Sequence, residues 1–69
     1  MANEYLNLQE VEQEIAQVRQ KFLKGEMTEG LQVMYLAQIR IDIQTLWKNK
    51  EIPDKKAEEL WDKARAAIR

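Results

Sequence analysis

The side chains in this 69-residue chain that could take part in acid–base chemistry are carboxylates, amines, guanidinia and two tyrosines. It contains no Ser, Cys or His, so the hydroxyl–imidazole and thiol–imidazole arrangements that run acyl transfer have no members here. The same absence removes the usual zinc ligands, and no metal site is expected. Paired carboxylates remain. Glu10 with Glu14, and Glu58 with Asp62, stand at i,i+4, which places two acids side by side on a helix. To act as a general acid, one of such a pair must be held in a pocket that lifts its pKa. Both pairs fall on stretches that read as solvated faces without such a pocket, so they are expected to serve as solubilising charge. Gly25 and Gly30 flank an ordinary helix turn and do not form a phosphate-cradling loop. The expectation is a protein with no catalytic residue, no cofactor and no metal.

Charge excludes further classes. Eleven basic against twelve acidic residues give a formal net charge of −1, which supplies no global attraction for nucleic acid or an anionic bilayer. A local basic patch would have to come from Lys55, Lys56, Lys63, Arg65 and Arg69, and these are interrupted by Glu58, Glu59 and Asp62. The pattern reads as a mixed-charge face with pairs such as Glu59 and Lys63 at i,i+4. No apolar run approaches the ~20 residues that span a bilayer, and the first residues lack the basic and apolar regions of a secretory signal. The chain has no cysteine, which suits a reducing compartment; a cytoplasmic location and no membrane partner are expected.

Three segments carry helical periodicity. Leu8, Val11, Ile15, Val18 and Phe22 repeat at 3-4 spacing, the seam of a helix lying against another helix. Asn7 is the expected N-cap, Glu10 stands at the third helical position as in a capping box, and Leu6 and Val11 occupy the two positions of a hydrophobic staple. Gly25 is a natural residue just beyond the helix end, so helix 1 is predicted over 8–24. The connection Gly25-Glu26-Met27-Thr28 is short enough to force a reversal, with Thr28 as the next N-cap. Its surroundings, Leu23 to Thr28, resemble the turn of short helical hairpins with a Leu-x-Gly-x-Ile-Thr pattern. Where those hairpins continue with an acidic–aromatic pair, this chain has Leu31 and Gln32, and no function is carried over. Helix 2 is predicted over 29–48, although Ile39 to Ile43 alternates as a strand would; no second strand is available to pair with it. Pro53 or Asp54 then starts helix 3, predicted over 54–68, with Ala57, Leu60, Trp61, Ala64 and Ile68 on one face.

A shift of 25 residues superimposes Phe22 on Trp47, Glu26 on Glu51, Met27 on Ile52, Tyr35 and Leu36 on Leu60 and Trp61, Arg40 on Arg65 and Ile43 on Ile68. This reads as two helical hairpins of common geometry, with Met27 and Ile52 packing back over the helix ends, and not as duplicated binding sites.

Helix 2 differs from its neighbours in being apolar on two sides. At about 100° per residue, Leu36, Ile39, Ile43, Leu46 and Trp47 share one arc, which reads as core. Met34, Ala37 and Ile41 form a second stripe roughly 170° from it, with Val33 and Tyr35 on its shoulders. Either helix 3 folds across this second stripe in a flat array, or the stripe stays exposed for a partner. The fold expected is all-α: three antiparallel helices in a small bundle or flat array, forming a single domain over 1–69. The function expected is a non-catalytic protein–protein interaction module, an adaptor, regulator or inhibitor, binding another protein or itself as a homodimer through Met34, Ala37, Ile41, Val33 and Tyr35. The alternatives are a small DNA-binding transcriptional regulator and a structural module of a larger assembly. Helix-turn-helix domains use a short helix before the turn, and a helix of about twenty residues there disfavours the first.

Overall fold

The computed structural model describes residues 7–69 as three α-helices: α1 Leu8–Leu23, α2 Glu29–Lys48 and α3 Asp54–Ala66. Each start has a local cause. The Asn7 side chain accepts the backbone N–H of Glu10 at 2.9 Å, and its amide lies 3.5 Å from the Glu10 carboxylate, so the reciprocal half of the capping box runs between side chains. Thr28 Oγ1 accepts the Leu31 N–H at 3.2 Å. At α3 the cap position is Pro53, with no side-chain cap bond, and Asp54 is the first helical residue. The proposed staple residue Leu6 lies outside the described residues. The segment around Ile41 is helical throughout, because strand-like alternation over five residues cannot outweigh a continuous helical register.

Both turns close in the same way. Gly25 N–H reaches the Phe22 carbonyl and Glu26 N–H the Lys21 carbonyl, each at 3.0 Å, a Schellman motif with Gly25 at φ +75°. Twenty-five residues later Lys50 N–H reaches Trp47 and Glu51 N–H reaches Leu46, with Lys50 at φ +61°. Met27 and Ile52, the next residues after each motif, are both buried. The internal repeat is therefore one turn built twice, with a lysine where the first copy has glycine.

Every pair of helices is in contact, so the bundle is closed and the flat-array alternative does not hold. Its core joins Val11, Ile15 and Val18 of α1, Ile39, Ile43 and Leu46 of α2, and Leu60 and Ala64 of α3, with Met27, Ile52 and Ala67 sealing the ends. Leu8, Phe22, Leu36, Ala57, Trp61 and Ile68 pack partly buried around it. Helix 3 ends at Ala66, short of the predicted Ile68. There the Arg19 guanidinium of α1 crosses over and donates to the carbonyls of Ala67 at 3.2 Å and Arg69 at 2.7 Å, supplying donors to the end of α3. On the same pair of helices Lys56 lies 3.8 Å from Glu12.

Candidate functional site

On α2 the core-facing arc and the outer stripe separate as the periodicity predicts. Ile39, Ile43 and Leu46 are buried, while Val33, Met34 and Ile41 are 69%, 67% and 55% exposed. Ala37 between them is also exposed. Tyr35 stands apart from this group. It is half-buried and packs against the core, so it belongs to the inner side of α2 and touches the stripe only at a groove shared with Leu31, Met34 and Gln38. Its position one residue beyond Met34 rotates it about 100° toward the core, which is why a shoulder position ends on the core side.

The outer face extends further than the sequence stripe. Gly30, Met34, Ala37, Ile41, Gln44 and Lys48 follow one another at 4-3-4-3-4 spacing, the register of a helix-on-helix seam, and all six are exposed. From Gly30 to Gln44 this line carries no charge. Arg40, beside its middle, has its guanidinium over the Trp61 ring at 6.0 Å, and Arg65 lies 5.7 Å from the same ring.

Two expectations are corrected on the flanks of α2. Trp47, assigned to the buried arc, is 46% exposed. It sits at the edge of that arc in the last turn, and its indole N–H donates to the Asp54 carboxylate across the α2–α3 turn instead of entering the core. The second correction concerns Glu14, which is not on a solvated face. It is half-buried between α1 and α2 beside Asp42, and its pKa is pushed up to about 7, first by burial, then by the hydrogen bond to Asp42 and repulsion from Asp42 and Glu10. Asp42 in turn accepts the Gln38 amide at 3.0 Å. Spacing along α1 paired Glu14 with Glu10; the stronger neighbour comes from another helix. Among the described residues no group of three or more acids is placed to hold a metal ion.

No family model, curated protein or solved structure matches this chain. Its surfaces therefore have to be judged on their own chemistry. The basic residues of α3 are partly engaged: Lys56 lies between Glu12 and Glu59, and Arg65 pairs with Asp62. The expected Glu59–Lys63 pair is not among the ion pairs of the described residues, because Glu59 turns toward Lys56 at i,i−3. A groove at the α2–α3 turn is lined by Trp47, Lys48, Lys50, Ile52, Pro53 and Asp54. Among the described residues no helix is long and apolar enough to cross a membrane.

Proposed function

We propose that this protein is a non-catalytic interaction module, an adaptor, regulator or inhibitor, that binds a protein partner through the outer face of α2. The observation that carries the reading is the exposure of Val33, Met34, Ala37 and Ile41 on a helix whose opposite side already fills the core. A helix in a closed bundle needs one apolar side, and a second one that stands exposed among the described residues is a liability unless something packs on it. Small Ala37 admits a close helix approach, and Met34 adapts its shape to whatever packs on it. The placement of Lys56 and Arg65 among acidic side chains argues against a nucleic-acid surface on α3. A cytoplasmic setting is part of the same proposal.

The test is Ile41→Glu. Because Ile41 is exposed, the variant should keep its helical circular dichroism and its melting temperature. It should lose the association that the parent shows, measured both by affinity capture from host extract and by the mass of the purified chain. Association that survives Ile41→Glu, or a parent that associates by neither route, overturns the proposal.

A further inference from the structure

We draw no further inference here: the strongest candidate, the exposed apolar patch of Val33, Met34, Ala37 and Ile41 on the outer face of α2, belongs to the site already described, and nothing in the structure shows what covers it.

Discussion

At the scale of single residues, the two turns form a natural pair for comparison. Gly25 and Lys50 occupy equivalent positions in equivalent hydrogen-bonded motifs, with φ of +75° and +61°. A side chain in the left-handed region costs roughly 1–2 kcal/mol relative to glycine. Gly25→Ala should therefore lower the unfolding free energy by about 1 kcal/mol; because open space surrounds the position, the loss is conformational and not steric. Lys50→Gly should move the other way, raising it by up to about 1 kcal/mol. Urea denaturation of both variants checks the pair, and an opposite sign at either position would show that the turns are not equivalent. The cap at Asn7 belongs to the same scale. Its side chain satisfies one α1 donor directly, so Asn7→Ala should cost about 0.5–2 kcal/mol without altering the fold.

At the scale of elements, the helices were legible because each boundary is written locally. Asn7, Thr28 and Gly25 carry the caps and the stop within a few residues of the ends they specify, and the core arcs follow from periodicity. What escaped the sequence depends on contacts between helices. Arg19 reads as a cation near the end of its own helix, yet it serves the carbonyls at the end of α3. Glu14 reads as paired with Glu10 along α1, yet Asp42 of α2 is the acid that raises its pKa more, because the packing of α1 on α2 brings the two together. This pair has a pH signature. The folded-state pKa of Glu14, about 7, lies above its ordinary value of 4.5, so between those values the folded chain holds more proton than the unfolded chain. Its stabilising contribution is full below about pH 4.5 and is lost as pH rises through 7. Glu14→Gln should remove that decline and make the protein more stable than the parent at pH 8, by an amount that solvent screening keeps at or below about 1 kcal/mol. Asp42→Asn should shift the parent's decline toward lower pH. Urea midpoints measured from pH 4 to pH 8 test both, and a profile unchanged by Glu14→Gln would mean that the proton is carried elsewhere.

At the scale of the whole molecule, the sequence showed two apolar sides on α2 but could not show which of them α3 would cover. Periodicity gives an angle around the helix, and the answer depends on where a five-residue connection returns the chain. The second Schellman turn settles it. Its bonds from Lys50 and Glu51 fold the chain back at Leu46 and Trp47, burying Ile52 and delivering Leu60 and Ala64 to the side already occupied by α1. The two sides of α2 must then differ sharply in what they contribute to stability. A single core in a domain of this size leaves only about 3–5 kcal/mol of net stability. Ile43 lies within that core, and Ile43→Ala should cost about 2–5 kcal/mol, enough to unfold much of the population at room temperature. Ile41 is two residues away and has the same side chain on the opposite face; Ile41→Ala should change the stability of the monomer by no more than about 0.5 kcal/mol. Thermal melts at a concentration where the parent is monomeric read both effects. At higher concentration the contrast should narrow, because association stabilises the parent by mass action and Ile41→Ala forfeits that gain. A concentration-dependent melting temperature in the parent that disappears in Ile41→Ala would tie the outer face of α2 to assembly. Equal destabilisation by the two alanines in the monomer would instead place both faces in one core and contradict the closed bundle.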